Sequence, residues 1–264
     1  MIMLVTLLSV IAMCLPASAR TWTVDKTGTG DFIVLQDALD AMASGDTISM
    51  GPGRFDDWAI YNPGPNESKT RGYVTVTDAT ILGSPEGTMI GPADPWGLDD
   101  GLTIGFENTV QGSVLRLHKL TCEGLEWGVF HGVGDSLFVS DCVFRGSRQG
   151  MGAGTRYTSI TRSEFHQPYR FGHGVLSYHQ DRIDYADCTS VFEGIDPATH
   201  LQLDGTPQGS VINSHFEGGS TGIMLSGGLD AVVTQCSFHN QSWAGIEVLF
   251  GSNVLNLNDS VFRG

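Results

Sequence analysis

Positive charge is scarce in this chain. Its 264 residues carry 14 Lys and Arg against 29 Asp and Glu, a formal net charge of −15. That balance speaks against a nucleic-acid partner, because phosphate contacts need a basic surface. Cysteine is scarce too, at five residues. None stands in Cys-x-x-Cys or Cys/His spacing, so no structural zinc site is expected. Long helical patterns are missing, which excludes helical repeats and bundles. The one long apolar run is residues 2–15, followed by Ala17-Ser18-Ala19. The run is short for a membrane span, and the small-x-small sequence fits cleavage before Arg20. Residues 1–19 therefore read as a signal peptide, and export is expected to the cell surface, periplasm or medium. No other segment could span a bilayer.

What the chain has is a period. Phe144, Phe165, Phe192, Phe216, Phe238 and Phe262 recur about every 23 residues, and Cys122 holds the same place one step earlier. Around each lie short alternating runs rich in Val, Ile and Leu, such as Val211–Phe216 and Gly222–Leu225. Period-two alternation means half-buried strands. Two residues before each phenylalanine sits a small side chain (Cys142, Ser163, Ser190, Ser214, Cys236, Ser260) on the same strand face. Glycine often follows by two, where a corner needs permissive backbone. One coil per repeat, with strands about 4.8 Å apart, describes a parallel β-helix. On this ruler Cys142, Cys188 and Cys236 are two coils apart, roughly 9–10 Å. That is beyond disulfide reach, so free buried thiols are expected.

The chain entry runs Thr23-Val24-Asp25-Lys26-Thr27-Gly28-Thr29-Gly30-Asp31-Phe32, then Val34–Met42 with Leu35, Leu39 and Met42 on one helical face beside Ala38, then Gly45–Phe55. Such a helix can plug the open end of a β-helix. This order, with Thr80-Ile81-Leu82-Gly83 through Pro92, resembles the pectin-lyase-like right-handed β-helix superfamily, most closely the start of pectin methylesterases. The resemblance implies an all-β fold: a single-stranded right-handed parallel β-helix over residues 20–264 with a short N-terminal capping α-helix. Val261–Gly264 stop halfway through a coil. A fragment, with a C-terminal continuation or a docking partner at the open coil, is the expectation there.

Candidate site residues cluster between 145 and 204. Arg145, Arg148, Arg156, Arg162, Arg170 and Arg182 lie there with Tyr157, Tyr169, Tyr178 and three histidines. Guanidinium groups and aromatic faces suit an acidic sugar. Arg148, Tyr169, Arg170, Tyr178 and Arg182 are accordingly candidate glycan-binding residues. Arg162 and Asp141 should pair across one coil. Gly172-His173-Gly174 is similar to an element of polygalacturonases, which makes His173 a catalytic candidate, but the paired aspartates of that family are not in reach. Arg182–Cys188 and Glu193–Asp196 are similar to the stretch before the methylesterase nucleophile, which points to Asp196. Tyr169-Arg170 stands where that family has its acid. Asp181, Asp184, Asp187 and Asp204 could supply oxygen ligands to calcium, and Asp181 is a further catalytic candidate, though no repeat aligns three of them. No cofactor or metal site is expected from a motif. Trp127 and Trp243 precede a strand run and could stack sugars or fill core. Phe130, Gly152, Leu176, Gln202, Met224 and Glu247 form one outward row.

Two functions follow. The first is a secreted module that binds polysaccharide, including acidic glycan, without intact catalytic motifs. The alternative is a polysaccharide-processing enzyme (esterase, lyase or glycoside hydrolase) with a divergent site around residues 145–204. Catalysis itself is left open.

Overall fold

A computed structural model describes residues 18–60, 68–93, 102–167, 172–193, 198–206, 208–228, 230–251 and 254–264. Each coil contributes one strand to each of three sheets. In the coil that holds Cys122 these are Val114–His118, Leu120–Glu123 and Trp127–His131. The first sheet has ten strands and the other two have nine each. All neighbours pair in parallel except Ala59–Ile60, which runs antiparallel to Ser68–Val74 at the edge of the third sheet. The fold is the expected right-handed parallel β-helix. The helix Leu35–Ala41 caps it, with Leu35, Ala38 and Leu39 buried. Gln36 fastens this helix by accepting the Tyr73 N–H at 2.8 Å and donating to the Tyr73 carbonyl at 3.1 Å.

The corner between the first and second sheets is a single residue. Lys119, Asp141, Arg162, Asp187, Asn213, Gln235 and Asp259 all occupy it with φ between 46° and 56°. This left-handed conformation is costly for side chains other than Gly, Asn and Asp. The corners from Lys119 to Gln235 are held by their N–H groups, as when Asp141 donates to the Thr161 carbonyl and Arg162 to that of Ala186, both at 3.1 Å.

The phenylalanine ladder holds with one correction. Cys122 faces Phe144, and Phe144 faces Phe165. Phe144–Phe165 and Phe216–Phe238 stack at 5.0 and 5.1 Å between centroids. Phe192 is not in the ladder: its place between Phe165 and Phe216 belongs to Ser190. The missing ring is supplied from the first sheet. Tyr185 stands in a column whose nearest members are Val139, Ile160, Val211 and Val233. Its ring lies 6.1 Å from Phe165 and 5.9 Å from Phe216, where residue 190 leaves room. His200 completes the exchange. It accompanies Ser190 Oγ at 2.7 Å and stacks on Phe192 at 4.0 Å.

With Ser190 in the ladder, the small residue two positions earlier is Cys188. Cys142, Ser163, Cys188, Ser214, Cys236 and Ser260 then alternate down one column. Each serine Oγ accepts the N–H of the preceding cysteine, at 3.2–3.3 Å. The four described cysteines are free and buried. Burial pushes the Cys142 and Cys188 thiols up to about 12.

Candidate functional site

The described arginines of the window do not converge. Arg145 sits on the second sheet and pairs with Glu123 at 2.9 Å, and Arg148 pairs with Glu126 at 2.9 Å. Arg156 pairs with Asp181 at 3.0 Å. Arg162 makes the expected bidentate bond to Asp141, both contacts at 2.7 Å. Arg182 lies on the first sheet against Asp184 at 3.0 Å. Each of these five faces a carboxylate, mostly one coil away. Tyr169, Arg170 and Asp196 lie outside the described residues.

Asp184 also accepts Tyr157 Oη at 2.9 Å and Ser210 Oγ at 2.6 Å. Burial would raise its carboxyl, but bonds from Arg182, Ser210 and Tyr157 hold it below the usual range. It floors a shallow hollow of about 200 Å³ with Arg182, Gln208 and Asp230. Its oxygens are taken by Arg182, Ser210 and Tyr157. The four aspartates considered for calcium are dispersed: Asp187 is a corner residue that accepts from Asn213, and Asp204 is on the third sheet. Among the described residues no group of three Asp, Glu, His or Cys could hold a metal ion.

The outer face of the third sheet is different. Its central row, in register, is Tyr73, Glu107, Phe130, Gly152, Leu176, Gln202, Met224 and Glu247. The row before it holds Trp127, Gln149, His173, Thr199 and Thr221. Glycines let three rings lie down on this face. A Cβ on Gly152 would stand 2.3 Å from Trp127 Cζ3, and one on Gly154 would stand 2.7 Å from Tyr178 Cε2. A Cβ on Gly132 would meet Phe130 Cε1 at 3.0 Å. Trp127 and Phe130 pack edge to face at 5.5 Å. All three rings are half-buried and keep a surface toward solvent. Trp243, by contrast, is exposed, and its indole N–H donates to Glu247 at 3.2 Å.

Three unsatisfied polar atoms belong to residues in register with Trp127 or Phe130 or one strand beyond. Glu107 Oε2, Gln149 Oε1 and His173 Nδ1 are buried and have no hydrogen-bond partner. Such atoms are expensive to leave unmet, and a polar group brought by a ligand or by water can meet them. Glu107 is 5% exposed although it points outward, because Tyr73 and Phe130 flank it and Tyr73 Oη reaches past it to Thr109 at 2.9 Å. Burial raises its carboxyl to about 7. The His173 imidazole is lowered, by burial first and by Arg148 in part, against an opposing pull from Asp204. It is neutral at pH 7. Asp204 closes the far side of the face, accepting Gln202 Nε2 at 2.7 Å and Ser226 Oγ.

Sequence reasoning placed Phe130, Gly152, Leu176 and Gln202 in this row and picked out Trp127, Tyr178 and His173. It missed Glu107 and Gln149. The signal for Glu107 was a lone acid in Leu102–Asn108, next to the inward Ile104 and Phe106.

Among known proteins, the sequence family described as "right handed beta helix region" matches residues 127–264. No curated protein matches the chain. A solved structure of pectate lyase Pel9A superposes with a TM-score of 0.61 at 16% identity, covering 93% of this chain and 77% of that one. A structure of the PL6 family alginate lyase AlyGC gives a TM-score of 0.53 at 11% identity, covering 94% of this chain. This chain spans only 40% of that lyase's length. Both likenesses are of fold. The chain belongs to the right-handed β-helix family.

Proposed function

We propose that this protein binds a polysaccharide along the outer face of its third sheet, with Trp127, Phe130 and Tyr178 as the stacking platform. One observation carries this reading: three half-buried rings lie on a glycine floor, bordered by three polar atoms that lack partners. Aromatic faces take the C–H faces of sugar rings, and the unmet polar atoms take hydroxyls. The likeness to structures named as a pectate lyase and an alginate lyase supports a glycan ligand. The protein acts after export, with residues 1–19 removed as a signal peptide. Among the described residues no helix is long and apolar enough to cross a membrane. The test is retention on a panel of immobilised polysaccharides. Trp127→Ala with Phe130→Ala should abolish retention, and unaltered retention would refute the platform.

A second reading has its own observation. Glu107 borders the platform and holds a proton near neutral pH. A carboxyl poised there can give or take a proton from a bound sugar. The protein is then a polysaccharide-processing enzyme centred on Glu107, not on the arginine-rich window. Appearance of new sugar ends in any panel polysaccharide, lost in Glu107→Gln, supports it. Intact polysaccharide after prolonged incubation refutes it.

A further inference from the structure

We infer that the glycan this face takes is an uncharged one, a neutral polysaccharide recognised through its hydroxyl groups. The inference rests on the platform reading and narrows it.

Charge is the first argument. On the five strands from Trp127 to Ser226, no outward residue of this sheet is Lys or Arg, while Asp204 is an acid. Arg148, beside the start of the face, is committed to Glu126. A polyuronate would bring a carboxylate with every sugar to a face whose nearest described cation, Arg148, is already paired with Glu126, in a chain of net charge −15. Like charges brought together at an interface oppose binding strongly. A bridging metal offers no escape among the described residues, since no suitable group of ligands exists there.

Hydrogen-bond polarity is the second argument, and it is independent of the first. Gln149 Oε1 is a buried acceptor without a donor. Asp204 is also an acceptor, already served by Gln202 and Ser226. Acceptors need a ligand that donates. Sugar hydroxyls donate and accept, whereas the carboxylate that each uronate unit adds only accepts. Glu107 Oε2 and His173 Nδ1, on either side of Trp127 and Phe130, can each be met by a hydroxyl as well.

The experiment compares soluble probes by calorimetry and affinity electrophoresis at low salt. Neutral probes are cello-, xylo-, manno- and galacto-oligosaccharides with their parent polymers. Acidic probes are polygalacturonate and alginate, each with and without calcium. At least one neutral probe should bind, and Trp127→Ala should weaken it about tenfold or more. The polyuronates should not bind. Leu176→Arg, a surface change in the central row, should weaken the neutral probe and admit a polyuronate. Binding of a polyuronate that Trp127→Ala weakens, alone or alongside neutral probes, overturns the inference and leaves the platform standing. Binding of nothing, or binding indifferent to Trp127→Ala and Leu176→Arg, overturns both. Circular dichroism on each variant separates a lost site from a lost fold.

Discussion

Glu107→Gln is the most informative single substitution in this protein. The wild-type carboxyl sits on the outer row but is 5% exposed, with Oε2 unpartnered. Its folded value is raised from 4.5 to about 7 by burial. In the unfolded chain the group ionises near 4.5, whereas in the folded chain it keeps its proton to about 7. Between those values the unfolded state binds fewer protons, so stability falls as pH rises. The size follows from the gap. Relative to acid pH, the wild type loses about 1 kcal/mol by pH 5 and about 3 kcal/mol by pH 7, and little more above pH 8. Gln has nearly the same shape and no charge. It carries a constant offset from its amide, but not this slope. Urea melts of both proteins at pH 5, 6, 7 and 8 give the difference directly. Glu107→Gln should gain on the wild type by about 2 kcal/mol between pH 5 and pH 7. Curves that stay parallel, or a wild type that gains on the variant with rising pH, would refute the claim that Glu107 is buried without a partner.

The ladder exchange predicts a compensating pair. Tyr185→Val opens a cavity and should cost about 3 kcal/mol. Adding Ser190→Phe restores the ladder and should recover at least ~1 kcal/mol as a coupling term in a double-mutant cycle; additive losses would refute the exchange. Gly222→Ala should destabilise by at least about 1–3 kcal/mol, because its Cβ would meet Phe238 Cδ1 at 2.6 Å and the Gly245 carbonyl at 2.4 Å. A melt unchanged from wild type would contradict that packing. The described cysteines should resist a thiol reagent at pH 8 until denaturant is added, since burial raises Cys122, Cys142, Cys188 and Cys236. Rapid labelling of the native protein at any of them would show the column is open to solvent.

The repeat made the fold readable. A ladder of phenylalanines at near-constant spacing is a local pattern, and a solenoid turns local patterns directly into contacts. It failed at Phe192 because the ring there was replaced from another sheet. Tyr185 is five residues from Ser190 but belongs to a different column, so no single spacing reveals the exchange. The pairing of the arginines was hidden for a related reason. Glu123, Glu126 and Asp141, the partners of Arg145, Arg148 and Arg162, lie about one coil earlier and outside the 145–204 stretch. Arg162 with Asp141 was found because both could be placed on the ladder. Glu107 is hidden by Tyr73, which is 34 positions away in sequence and one strand away in space. Such burial has no signature in composition. The left-handed corner did leave one: a polar residue stands three positions before each ladder residue, from Lys119 to Asp259.

That one-residue corner also decides where this protein can change. It admits no insertion, because its N–H is bonded to the next coil. Tyr157 to Phe165, Arg182 to Ser190, Gln208 to Phe216 and Asp230 to Phe238 are the same eight steps. From the ladder to the third sheet the path varies, from five steps between Phe144 and Gln149 to nine between Ser190 and Thr199. Length is therefore frozen on one edge of the prism and free on another. The free edge borders the face that carries Trp127, Gln149 and His173. Grafted or inherited loops could alter what that face selects while the coil stack, and with it the melting behaviour, stays as it is.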